Sequence, residues 1–385
     1  MRKWILVTLV LVEIVVLWAA PSTRTSGVAT DVALNARTSV VTTDEPQNAM
    51  PSFDVNTTEA DEAVFDEQRD APASRYQMRT QVDEIVPDRP LHTTTSYYMN
   101  TADQIRLRVL GCEAGAKTIG LSGTADDLII LVFGAPKEQN GLKGTIIFRA
   151  PGAPSSGFAS VVELQQGAKA FVSSYLSCAD PNARLSLVLG TSNWGTQVTR
   201  EHGIAWAQMV SDVSTWKDAQ RVSVFGGNDM EADWGKPEVA RAWVDGYLSV
   251  AGPGLYNFGD AAGCPWTDKA APLCNNGWTV EDIWYISAGA GNVQAIPQIY
   301  NPTQAKQWYQ LKRYSLARSK DDFKPLVIAG VLTMDGDCRQ EGGCGPAFNL
   351  TPEEGYQHLF DLLNANPETA QKLRYSTDIK KAWLP

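Results

Sequence analysis

Arg221-Val222-Ser223-Val224-Phe225-Gly226-Gly227-Asn228-Asp229-Met230-Glu231-Ala232-Asp233-Trp234 is the stretch on which the fold turns. Its first five residues, rich in β-branched and aromatic side chains, make a short strand. Two glycines and a run of acids follow. Beyond Pro237, Ala240, Trp243, Val244, Tyr247 and Leu248 recur at spacings of three and four, which puts them on one face of a helix that packs on a sheet. A strand, a polar strand end and a helix form the unit of an α/β domain with a largely parallel sheet.

The unit repeats in both directions. Strands are expected at Leu128–Phe133, Arg184–Leu189, Leu255–Phe258, Ile283–Ser287, Ala295–Ile299 and Leu326–Val331. Thr145–Phe148 is a further strand, joined to Leu128–Phe133 either as a hairpin or as a separate strand. Helical spacing runs through Ala159–Ser177, Trp206 to Val213, Ala305 to Leu311 and Tyr356 to Leu363, the last after the capping box Thr351-x-x-Glu354. Seven or eight strands over about 285 residues match the size of a (β/α)8, TIM-type barrel of ~250 residues, with some irregularity allowed. A doubly wound open sheet is the alternative. Gly289-Ala290-Gly291 does not extend into the dinucleotide fingerprint, and there is no phosphate loop and no G-x-S-x-G elbow.

The 385 residues carry 33 Lys+Arg against 43 Asp+Glu, a formal charge of −10. Such a balance gives no footprint for nucleic acid. The chain opens Met1-Arg2-Lys3 and then runs apolar from Trp4 to Ala20, broken by Thr8 and Glu13. Residues 1–20 therefore read as a signal peptide cleaved near Ala20, or as an uncleaved N-terminal anchor, because Trp18 suits a cleavage site poorly. Residues 21–95 read as a disordered acidic linker: lysine and tryptophan are absent from Pro21 to His92, and little apolar surface is there to offset the ordering entropy. Residues 96–385 then form the barrel domain. The expected location is extracellular, with membrane contact only through an uncleaved N-terminal segment.

Six cysteines, all after the linker, suit an oxidising compartment. Spacing suggests Cys264 with Cys274 and Cys338 with Cys344, which leaves Cys112 with Cys178 by elimination among fifteen possible pairings. Neither a C-x-x-C knuckle nor a nearby histidine supports zinc, and no cofactor is expected. His92, His202 and His358 are scattered too widely for a triad or a metal site.

Chemistry in a barrel belongs at the C-terminal strand ends. In an extended chain Asp229 and Glu231 face the same way, with Cα atoms roughly 7 Å apart. Gly226 and Gly227 leave room beside them for a ligand or another backbone. Such a pair can divide the work of glycoside hydrolysis, with Glu231 as proton donor and Asp229 as its partner. The same acids would also serve as a solvated loop or a helix cap. At other strand ends lie Asn193 and Trp194, then Tyr256, Asn257 and Asp260, then Gln298, Tyr300 and Asn301. Rings that stack on a pyranose and amides that bond its hydroxyls make these candidate carbohydrate-binding residues. Asp335-Gly336-Asp337 reads as a turn before a cysteine loop, with calcium the alternative.

Six blocks in order, Thr191–Gly195, Asn228–Trp234, Leu255–Gly259, Trp278–Ser287, Pro297–Asn301 with Gln307-Trp308, and Ala329–Thr333, resemble a family of secreted, mainly actinobacterial proteins of unknown function. The resemblance spans Asp127 to Leu363. It implies a secreted barrel of the glycosidase type, similar in outline to the lysozyme-like muramidases with their Asp-x-Glu strand end, and a carbohydrate partner. The family often has glutamate where this chain has Gln298. A neutral amide cannot act as acid, base or nucleophile, so a non-catalytic surface protein that binds glycan or another protein is the alternative.

Overall fold

The structure is a computed structural model that describes residues 90–385 apart from 151, 217–219, 266–272, 320–323, 346–349 and 383–385. The signal or anchor segment and almost all of the proposed linker lie outside the described residues. Eight parallel strands form the barrel: β1 (Thr94–Met99), β2 (Asp126–Val132), β6 (Arg184–Ser192), β7 (Val222–Asp229), β8 (Leu255–Asn257), β9 (Val293–Ala295), β10 (Gly330–Thr333) and β11 (Tyr375–Ala382). Neighbours pair in that order, and β1 pairs with β11 over its whole length. Between β9 and β10 the ring closes through fewer bonds, among them Ile299 N to Leu332 O at 2.8 Å and Leu332 N to Pro297 O at 2.9 Å.

Helices α1 (Gln104–Ala116), α2 (Val161–Cys178), α3 (Arg200–Ser214), α4 (Pro237–Leu248), α5 (Val280–Trp284), α6 (Pro302–Arg318) and α8 (Pro352–Asn364) carry the chain between strands. Short α7 (Asp335–Gln340) follows β10. A three-stranded antiparallel sheet, β3 (Ala135–Gln139), β4 (Leu142–Ile146) and β5 (Phe158–Ser160), is inserted between β2 and α2. The (β/α)8 reading therefore holds. Thr145–Phe148 belongs mainly to this side sheet and not to the barrel.

Two apolar layers follow from strand alternation. Val222 and Val224 on β7, and Met230 just beyond it, point outward into the layer under the helices, which also buries Trp206, Trp243, Trp278 and Trp308 completely. Phe225 points inward to Val188, Tyr256, Phe258 and Ile296 in the barrel's centre. The glycines serve this packing. A Cβ on Gly226 would lie 2.4 Å from the Tyr247 ring, and one on Gly227 would lie 2.4 Å from Val188 and 2.7 Å from Phe258. Their open space is thus filled by side chains and does not admit a ligand.

Three expectations change. Ile283–Ser287, read as a strand, is the end of α5 running into a π-helical turn, Tyr285–Gly289, because a short buried apolar run looks alike in either state. Strands β1 and β11 were not expected at all, and β1 starts ahead of residue 96. Asp335-Gly336-Asp337 opens α7 in place of a turn, with Asp335 paired to Arg339 and Asp337 to Lys381. The disulfides are Cys112–Cys178, Cys264–Cys274 and Cys338–Cys344, as spacing and elimination suggest. Among the described residues no helix is long and apolar enough to cross a membrane.

Candidate functional site

Strand alternation carries from β7 past its end, so Asp229 and Glu231 both turn inward at the C-terminal mouth while Met230 anchors the outer layer. Asn193, just after β6, holds this extension in place. Its Nδ2 donates to Glu231 O at 2.9 Å, and its Oδ1 accepts from Glu231 N at 3.1 Å. Gln298 enters from the segment after β9, and its Nε2 donates to Asp229 Oδ1 at 2.7 Å and to Glu231 Oε1 at 3.0 Å. One amide nitrogen thus spans both carboxyl groups. The Tyr98 hydroxyl, from β1, donates to Asp229 Oδ2 at 2.7 Å.

Both acids are deeply set: Asp229 is 1% exposed and Glu231 6%. Burial raises the Asp229 carboxyl to about 7, against the pull of the Tyr98 and Gln298 hydrogen bonds. Burial also lifts Glu231 well above the usual carboxylate range, helped by the charges of Asp229 and Asp260. Asp260 is half-buried, and desolvation brings it to about 7 although the Ala262 amide, at 3.3 Å, donates to it. Glu231 is therefore held toward its protonated form, while the Tyr98 and Gln298 hydrogen bonds favour the charged form of Asp229. That is the split of roles expected of an acid and its partner.

Tyr300 also belongs to this group. It is 2% exposed, and its phenol is raised well above its ordinary value by burial and by the charges of Asp229 and Glu231. The cover includes Phe148, whose ring centroid lies 4.9 Å from that of Tyr98, and the Cys338 end of a disulfide loop. Surface clefts of about 380 Å³, beside Lys137, Lys143 and Gln197, and about 400 Å³, beside Arg241 and Asp245, lie elsewhere. The carboxyl pair sits under a roof and not in an open groove.

Of the residues named from sequence, Asp229, Glu231, Asp260, Gln298 and Tyr300 come together, and Asn193 positions the pair. Tyr256 does not join them. It points into the barrel interior toward Tyr375, Arg374 and Asp126, which lie at the N-terminal ends of their strands. Asn257 faces outward and donates to Ser287 Oγ at 2.8 Å, and Asn301 caps α6 by accepting from Gln304 N at 2.9 Å. Trp194 is half-buried, and its backbone N reaches Ser192 Oγ at 3.4 Å. Tyr98 was missed because its strand was missed. The alternation in Thr94-Thr95-Ser96-Tyr97-Tyr98-Met99 was the available signal.

These features define a (β/α)8 barrel with a buried Asp-x-Glu pair at the end of its fourth strand. No family model matches the chain and no curated protein matches it, so the likeness to the secreted family rests on the six sequence blocks alone.

Proposed function

We propose that this is an exported glycoside hydrolase acting on a cell-wall or extracellular glycan, with Glu231 as proton donor and Asp229 as its carboxylate partner. The observation that carries this reading is the Gln298 bridge: two buried carboxyls, both raised by desolvation, meet on one amide nitrogen. A shared nitrogen limits the two oxygens to under about 6 Å, which suits the retaining spacing of ~5 to 5.5 Å better than the inverting ~6.5 to 9.5 Å. Turnover is expected to keep the anomeric configuration. Export is supported by three disulfides and by the basic head and apolar run of residues 1–20.

Product analysis on purified peptidoglycan and soluble polysaccharides tests the reading. Glu231→Gln is expected to cut turnover by about 10²- to 10⁴-fold, the usual worth of a general acid. Wild-type turnover that survives this change removes Glu231 from the role. A second reading, a binder without turnover, is favoured by Gln298 itself, which occupies the space between the carboxyls, and by their low exposure. It predicts saturable glycan binding with no product.

A further inference from the structure

Two aromatic rings stand beside the acid pair, and neither is one that the sequence offered for stacking. Tyr256 points into the barrel interior. The Tyr98 hydroxyl, by contrast, is bonded to Asp229 Oδ2 at 2.7 Å, and the Phe148 ring lies over Tyr98 with centroids 4.9 Å apart. Phe148 is thus one ring removed from the carboxylate. Exposure sets these two apart from their surroundings. Asp229 and Gln298 are 1% exposed and Tyr300 2%, whereas Tyr98 and Phe148 are only half-buried. Both keep part of their surface open to solvent at the C-terminal end of the barrel.

The inserted sheet of β3, β4 and β5 puts Phe148 there. Its first carbonyl, Gly134 O, accepts from Thr191 Oγ1 at 2.9 Å and from Ser192 N at 3.1 Å. On β4, Gly144 O lies 2.8 Å from His202 Nε2. The Trp243 indole donates to His202 Nδ1 at 3.0 Å, and an indole N–H only donates, so the imidazole proton sits on Nε2 and is given to Gly144. Beyond β4 the Phe148 amide leaves the side sheet and donates to Met99 O, at the end of β1, at 3.1 Å. A (β/α)8 barrel closes without any such sheet. An insertion fastened at the mouth by buried hydrogen bonds has the position of a ligand-binding element, and the ring it delivers beside the acids is Phe148.

We propose that Phe148 is a platform on which one neutral pyranose ring with equatorial substituents lies flat, next to the Asp229–Glu231 pair. This rests on the glycan reading and adds the substrate class and a binding residue. A pyranose of that shape presents a flat face of C–H groups, which matches the face of a phenyl ring. Phenylalanine has no hydrogen-bonding group, so it reads the flat face and not a particular hydroxyl. A uronate or sulfate on the same ring would stand against the acids and be repelled.

Calorimetry on the full chain with β-1,4-linked tetramers of glucose, N-acetylglucosamine and glucuronate tests this. At least one neutral tetramer is expected to bind, and the uronate at least about tenfold more weakly. Phe148→Leu keeps apolar packing on Tyr98 and removes the ring face, so it is expected to weaken the neutral tetramer by about three- to tenfold, with Phe148→Trp staying within about twofold of wild type. If Phe148→Leu fails to fold, saturation transfer from wild type in which only the phenylalanine rings carry protons replaces it, with the pyranose C–H protons of the bound tetramer expected to receive the signal. Unchanged affinity in Phe148→Leu, or no transfer from those rings, reduces Phe148 to packing and overturns the platform while the glycan reading stands. Equal or tighter binding of the uronate overturns the neutral class. Failure of both neutral tetramers to bind overturns the platform, and the glycan reading falls with it only if peptidoglycan and soluble polysaccharides give neither product nor binding.

Discussion

At the N-terminal floor of the barrel Asp126 meets Arg374, and Asp127 accepts from the Tyr175 hydroxyl at 2.8 Å with His92 Nε2 at 3.0 Å. At the C-terminal mouth, among the described residues, Asp229 and Glu231 are bonded to an amide and a phenol and Asp260 to a backbone amide, with no ion pair. The same residue type is thus matched with partners at one end and left uncompensated at the other. Breaking a matched buried group costs stability, whereas removing an uncompensated one is close to neutral or a gain. A floor built this way reads as scaffold and a mouth built this way as a place where stability was given up for chemistry.

The disulfides give the largest expected contrast. Cys112–Cys178 ties α1 to the floor end of α2 across 66 residues, and Cys338–Cys344 closes 6 residues at the mouth. On loop entropy, replacing the first pair by serine is expected to cost about 4 kcal/mol and the second about 2 kcal/mol. Denaturant melts of the two double mutants check this, and equal losses would show that staple position matters less than its presence.

A sharper test sets one acid against another. Asp127→Ala leaves the fully buried Tyr175 hydroxyl without its acceptor, so a loss of about 2 to 4 kcal/mol is expected. Glu231→Gln can still accept from Gln298 and replaces a carboxyl that burial already holds toward its neutral form, so its change is expected to stay within about 1 kcal/mol of zero at neutral pH. If the two substitutions destabilise alike in urea, the distinction between floor and mouth fails.

The smallest effect is on pH dependence. The three mouth carboxyls have folded values raised above their unfolded ones, so the folded chain holds protons that the unfolded chain releases. For Asp229 and Asp260 that contribution to stability is full below about pH 4 and is lost as pH climbs through about 7, and Glu231 adds to the fall in the same direction. Wild-type stability should therefore fall across that window, and Glu231→Gln should flatten the fall. A thermal-melt series in which wild type and variant keep parallel slopes would remove the mouth as its source.

The barrel could be read from the chain wherever burial left a run of apolar residues, as at Leu128–Phe133 and Arg184–Leu189, and the Asp229–Glu231 pair followed from alternation alone. What escaped has a common cause. In β1 and β11 polar side chains face each other across the seam: Ser96 bonds Thr377 at 2.7 Å, and Thr333 on β10 donates to Asp378 at 2.8 Å. Strands held laterally by hydroxyls leave no apolar signature, so Tyr98 went with them. Gln298 was noticed for the charge it lacks. Its bridging role depends on a distance between strand ends that periodicity does not encode. Tyr256 and Asn257 show the converse, since adjacent residues at a strand end point to opposite sides and only one of them can see the mouth.

The seam between β1 and β11 has a consequence for how the chain is made. Thr94 and Thr377 are 283 residues apart yet share a hydrogen bond. During synthesis everything up to β10 can gather as an open sheet with two raw edges, and the ring shuts only when Tyr375–Ala382 arrives. A chain cut short before that strand would carry both edges exposed and ready to pair with a neighbour. The ring around the carboxyls, with Tyr98 of β1 in register with Lys381 of β11, is therefore completed only when that last strand pairs.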